Sequence, residues 1–186
     1  MIDILHGTDW AGLEHAHGPA GDVPAHLAAL LGAGPEERTA ALHFLYTTVT
    51  HQGSVYPATA PAARYVAAIL TDERTTPIRA DLLEWLDDVA ANAVEFAGAE
   101  DVEEDPAIDD CYALIPEWYR AVTTQFAHPD PEIRVAARQA AFTMLAAPEL
   151  TNERPASIPH LTAEPDLLSE SLRDLLEETV EEWREQ

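Results

Sequence analysis

A chain of 186 residues, nearly half of them apolar, can bury about two-thirds of its unfolded surface as one domain, which excludes wholesale disorder. Its 34 acidic residues face ten basic ones, all arginine, for a net charge of -24. That balance excludes DNA, RNA and anionic lipid as partners, because binding them requires Lys or Arg to replace phosphate counterions.

The absence of lysine, with abundant Ala, Arg, Asp and Glu, fits the coding bias of a GC-rich bacterial genome. Acidity on this scale serves solubility, or steers the chain towards a basic partner. Cys111 is alone, so no intramolecular disulfide or cysteine-based zinc site can form, and it reads as structural. No charged-then-apolar leader starts the chain and no apolar run approaches the length of a membrane span. A soluble, cytoplasmic protein with no membrane partner is expected.

In chain order, residues 1–20 predict a short helix carrying Trp10 and Leu13 that caps the first helical pair. "DVPAHLAALL" then sets Val23, Leu27, Leu30 and Leu31 on one helical face. A turn from Gly32 to Pro35 leads into a second stripe of Leu42, Leu45, Tyr46 and Val49. The pattern returns as "TAPAARYVAAIL", a turn over Asp72 to Pro77, and a stripe of Ile78, Leu82, Leu86 and Val89. It returns again as "IPEWYRAVTTQF", the turn "AHPDPEIR", and Ile133, Ala137, Ala140, Ala141 and Met144. In a fourth unit the first helix shrinks to "IPHLTAEP", before a long segment with Leu168, Leu172, Leu175, Leu176 and Trp183.

These units share punctuation. An apolar or small residue precedes proline at Val23-Pro24, Ala60-Pro61, Ile115-Pro116 and Ile158-Pro159, where proline suits a first helical turn. An arginine follows each proline by 14, 18, 18 and 14 residues, at Arg38, Arg79, Arg134 and Arg173.

Helix, turn with Asp-Pro, arginine, helix resembles the HEAT-type repeat, whose period is roughly 40–47 residues. "FAHPDPEIRVAARQAA" is the most specific match, and "HQGSVYPATAP" (51–61) is similar to a run that joins repeats in bacterial HEAT-repeat proteins. The resemblance implies an all-α, HEAT-like α-solenoid of about four hairpins in one domain, 1–186, and little about activity. The repeats fall near 23–50, 60–94, 115–147 and 158–183, with a short N-terminal capping helix and a long acidic C-terminal helix. One helical pair cannot bury its apolar face alone, so stacked neighbours must share a core.

Residues 95–112, "EFAGAEDVEEDPAIDDCY", stand outside the pattern, with eight acids among eighteen residues and no base. They read as an inserted loop with a short helix beginning near Pro106, either solvated or docking a basic partner. Asp101, Glu103 and Asp105 alternate as calcium ligands would, but the glycine and the terminal glutamate of an EF-hand are not in place.

"HQGSVYPATAP" has two readings. Gly53 and Pro61 make an inter-repeat joint with Tyr56 packed into the core, the favoured reading; alternatively, His51, Gln52 and Tyr56 form a polar rim. Phe44 points away from its helix's apolar stripe, which suits either a wide core face or a protein-binding hot spot. Trp85 borders its stripe beside Glu84 and Asp88, and reads rather as core. The nominated partner-binding residues are Phe44, His51, Gln52, Tyr56, Trp85, Asp88, Glu103, Glu104 and Asp105.

No catalytic residue, metal ligand or cofactor is nominated. His15 and His17 have ligand spacing for a strand but point to different faces of a helix, and no HExxH, nucleophile elbow, P-loop or dinucleotide glycine pattern occurs. HEAT-like glycosylases present a cationic groove and HEAT-like lyases their own motifs, and neither is here. The reading is a non-catalytic scaffold for a basic protein or peptide. An immunity-like protein that neutralises a basic toxin or nuclease is the narrower alternative.

Overall fold

Alanine, leucine and arginine favour helix, and a capping aspartate marks where two of the runs begin. Asp105 accepts a hydrogen bond from the Ala107 amide at 2.9 Å and Asp130 one from Glu132 at 3.0 Å, capping α6 (Pro106–Tyr112) and α8 (Pro131–Met144). In both, proline occupies the first turn, where no N–H partner exists to lose. The structure is a computed structural model that describes residues 2–98 and 105–185. The other helices among these residues are α1 (Ile2–Gly7), α2 (Val23–Ala29), α3 (Pro35–Phe44), α4 (Thr59–Ile69), α5 (Arg79–Phe96), α7 (Ile115–Thr123), α9 (Arg154–Leu161) and α10 (Glu170–Glu185). The protein is thus mostly helical, and the two-residue strands β1 (Glu14–His15) and β2 (Gly18–Pro19) pair antiparallel.

Packing follows sequence order. α2 meets α3, α4 meets α5, α7 meets α8 and α9 meets α10. Across these pairs α4 also lies on α7, and α5 lies on α8 in the most extensive contact between helices. The core gathers between them, with Tyr65, Trp85 and Trp118 its bulkiest fully buried members. Trp85 directs its indole N–H to the Thr50 hydroxyl at 3.1 Å, which satisfies a polar atom that burial would otherwise strand. Cys111, on α6, is fully buried, and burial followed by the nearby Asp110 and Asp105 carboxylates pushes its thiol up to about 12.

Three of the four regularly placed arginines close the turns before their helices. Arg38 donates to the Gly32 carbonyl at 2.6 Å, Arg79 to Asp72 at 2.8 Å, and Arg134 to His128 and Pro129 at 2.9 Å. Each guanidinium thereby reaches a carbonyl of the turn or helix end before it, groups a helix cannot satisfy by itself. Arg79 is almost wholly buried and also donates to Thr75, Thr76 and the Gln125 side chain, which ties α5 to the end of α7. Arg134 and Arg138 converge on Glu164, whose carboxyl their hydrogen bonds hold down at about 2.

Several expectations are revised. The N-terminal helix is α1, whereas Trp10 lies on a separate 3-10 turn, Trp10–Gly12, donating to the Leu5 carbonyl at 3.0 Å. α9 begins at Arg154 with Pro155 in its first turn, so Pro159 sits inside that helix rather than at its head. Pro61 is the third residue of α4. The short helix expected near Pro106 is α6, while residues 99–104, including Asp101, Glu103 and Glu104, lie outside the described residues.

Arg79 and Arg64 provide a direct comparison. Arg79→Ala strands several buried acceptors and is expected to cost about 3 kcal/mol, a fall in Tm of roughly 6–12 °C. Arg64 pairs with Glu117 in solvent at 2.9 Å, with half its side chain exposed. Arg64→Ala should cost less than about 1 kcal/mol by thermal or urea unfolding.

Candidate functional site

α5 is buried on three sides, and what it leaves to solvent is a single row. Its exposed positions are Asp81, Glu84, Asp88, Ala91 and Glu95. They recur at three and four residues, opposite the buried Leu82, Leu86 and Val89. Four of the five are therefore acidic, on the helix at the centre of the fold. Glu132, at the start of α8, adds its carboxylate from the side.

Among the described residues, no ion pair is formed by these acids, and the arginine pairs fall elsewhere: Arg64–Glu117, Arg74–Asp72, and Arg134 and Arg138 with Glu164. Burial, then Asp81, Asp88, Asp87 and Glu132, raise the Glu84 carboxyl above the ordinary carboxylate value. Asp88 is raised by burial and by Asp87. Asp87 itself is buried beneath the row, raised by that burial, and accepts from the Gln139 amide of α8 at 2.8 Å. Tyr46 donates to the Asp81 carbonyl at 3.1 Å, and burial plus four surrounding carboxylates push its phenol far up.

Two clefts flank the row. One, of about 620 Å³, lies between the start of α5 and α8, with an apolar floor that includes Ala80, Ile133 and Ala136. The other, of about 480 Å³, lies between the later part of α5 and the turn at 52–53, and is lined by Tyr46, Gln52, Asp88 and Asn92. That turn is tight because Gln52 and Gly53 both have positive φ, 51° and 80°, between the bridged residues His51 and Ser54. Asn92 donates to the Gly53 carbonyl at 2.8 Å and holds the turn against α5.

The nominated residues fare unevenly. Gln52 and Asp88 meet in the second cleft. Trp85 is fully buried and cannot touch a partner, because α5 packs on several elements at once and its apolar face is wider than one stripe. Phe44 is half-buried under the N-terminal segment: the His26 ring stacks on it at 3.8 Å and His15 meets it edge-on. His51 turns inward, its Nδ1 3.2 Å from the Thr47 carbonyl that His17 Nε2 also approaches, at 3.0 Å. Tyr56 is only half-buried, and Val55 is the residue of that joint that fills the core. Asp105 serves as the cap of α6, and Glu103 and Glu104 lie outside the described residues.

Asp81, Glu84 and Glu132 join the site on structural grounds alone. A signal for the first two is present in the sequence, as acids three residues apart on the side of α5 away from Ile78, Leu82, Leu86 and Val89. Among the described residues, no group of three or more His, Cys, Asp or Glu side chains is placed to hold a metal ion, and no helix is long and apolar enough to cross a membrane. No family model, curated protein or solved structure matches the chain.

The raised carboxyls give a pH test. A folded-state carboxyl that holds its proton to higher pH than in the unfolded chain stabilises the fold below the ordinary carboxylate range. That stability is lost as pH rises through the raised value. Glu84→Gln is therefore expected to melt above the parent chain at pH 7 and to converge with it near pH 3. Added salt should narrow the gap at pH 7, which scanning calorimetry will show.

Proposed function

We propose that this chain is a non-catalytic protein-binding scaffold, a HEAT-like α-solenoid whose acidic face docks a basic protein or peptide. The observation that carries this reading is the unpaired acidic row on α5. Placing four like charges on one helix face, with Glu132 beside them, costs folding energy through mutual repulsion. A partner bearing arginine or lysine removes that repulsion when it binds, and the long-range field speeds its arrival. The solenoid part of the reading is supported by the recurrent turn-closing arginines and by the way α4 lies on α7 while α5 lies on α8. Such stacks expose one extended face built from successive helices, which suits binding another chain. A cytoplasmic setting is consistent with the free, buried Cys111.

Affinity capture from the native host tests this with the parent chain and an Asp81→Arg, Glu84→Arg, Asp88→Arg variant. A basic protein is expected on the parent at about 50 mM salt, released at about 500 mM, where screening acts within roughly 4–5 Å. The variant should capture none of it while melting at or above the parent's Tm. Retention that ignores both salt and the three substitutions would place binding away from the acidic row.

A further inference from the structure

The cleft between α5 and α8 has a chemistry more specific than acidity, and an occupant can be read from it. We propose that it is the docking groove for an amphipathic helix of the partner, with arginine or lysine along one edge and leucine- or valine-sized side chains along the next. This deepens the scaffold reading and rests on it.

Three observations point the same way. The first is a floor of Pro77, Ala80, Ile133 and Ala136, whose small alanines let another backbone come close. The second is charge: Asp81, Glu84 and Glu132 line the same groove without arginine partners. The third is Leu167, which lines the groove and is 43 % exposed. It and Leu175 are the large apolar side chains left in solvent among the described residues. An acidic rim alone would suit any cation. An apolar floor ending on an exposed leucine asks for apolar side chains as well.

The helical form follows from spacing. Asp81 and Glu84 line this groove, and the row continues along α5 through Asp88 and Glu95 beside the second cleft. Asp81 to Glu95 is fourteen residues on, which at 1.5 Å each is about 21 Å, with a carboxylate near most turns of about 5.4 Å. A helix alongside repeats its basic edge at that same interval. An extended strand repeats at about 6.6–6.8 Å for alternate residues and falls out of step within a few contacts. Helix-in-groove recognition of this kind uses anchors at i, i+3, i+4 and i+7. The groove volume of about 620 Å³ is within the range of pockets that hold several side chains.

The test is fluorescence anisotropy with two labelled sixteen-residue peptides of identical composition, using the full chain. In one, arginines and leucines occupy adjacent edges of a helix; in the other the same residues are reordered around it. The patterned peptide is expected to bind at least tenfold more tightly. Glu84→Arg with Glu132→Arg should weaken it at least tenfold. Leu167→Asp should also weaken it, although it adds a negative charge that a purely electrostatic surface would welcome. Glu177→Arg with Glu178→Arg, the same charge change on exposed positions of α10, should leave it within about twofold. Equal affinity for both peptides, tighter binding by Leu167→Asp, or equal loss in the α10 variant would overturn the groove while leaving an acidic docking surface intact. Failure of both peptides to bind at low salt would overturn both.

Discussion

The Arg79 guanidinium is the constraint on which the rest of the architecture depends. A helix that ends inside a packed protein leaves carbonyls with no partner of their own. The turn between α4 and α5 is closed by one planar fork that reaches Asp72, Thr75, Thr76 and, across the chain, Gln125. Lysine could not do this, since a point charge with a tetrahedral head does not spread donors in one plane. Once the turn is closed, α5 leaves it in a single direction and comes to lie along α8. The same device recurs at Arg38 and Arg134, with different partners but the same target, the carbonyls just before the second helix.

The helical content is largely legible because it is written in short-range chemistry. Proline, capping aspartate, arginine and the apolar stripes all act within a turn or two, and the helices stand close to where those signals put them. What the pattern conceals is the width of a buried face. Periodicity says which residues share a side of a helix, not how many neighbours that helix will have, so Trp85 borders its stripe in sequence yet is central in the fold. Phe44 is ambiguous for a related reason. What covers it is His26 together with a hairpin some thirty residues upstream, and no local signal announces that the N-terminal segment folds back. Prolines mislead where two lie close together: Pro155 opens α9, and Pro159 is then carried inside it.

The candidate site is half legible. The 51–61 run is a joint, as its glycine and prolines imply: Thr59 accepts from the Tyr56 amide at 2.9 Å and donates to Val49 at 2.7 Å, pinning both sides of the break. Its tip also reaches one of the clefts through Gln52, so joint and rim are the same few residues seen from two sides. The acidic row needs a second step, the recognition that α5 shows solvent only one line of positions. Charge spread evenly through a sequence looks like solubility. Folded onto one line, it becomes an electrostatic edge with a direction.

The buried thiol of Cys111 has a further meaning. With its proton held up to about 12 and no solvent contact, the sulfur is chemically silent in the folded chain, since only the thiolate reacts. It lies on α6, which packs against both α4 and α5 and forms the end of the acidic segment 95–112. Any event that lifts that helix away from its neighbours would expose the one thiol the protein has. The chain therefore carries a built-in clock for its own local opening, one that runs only when its middle comes apart.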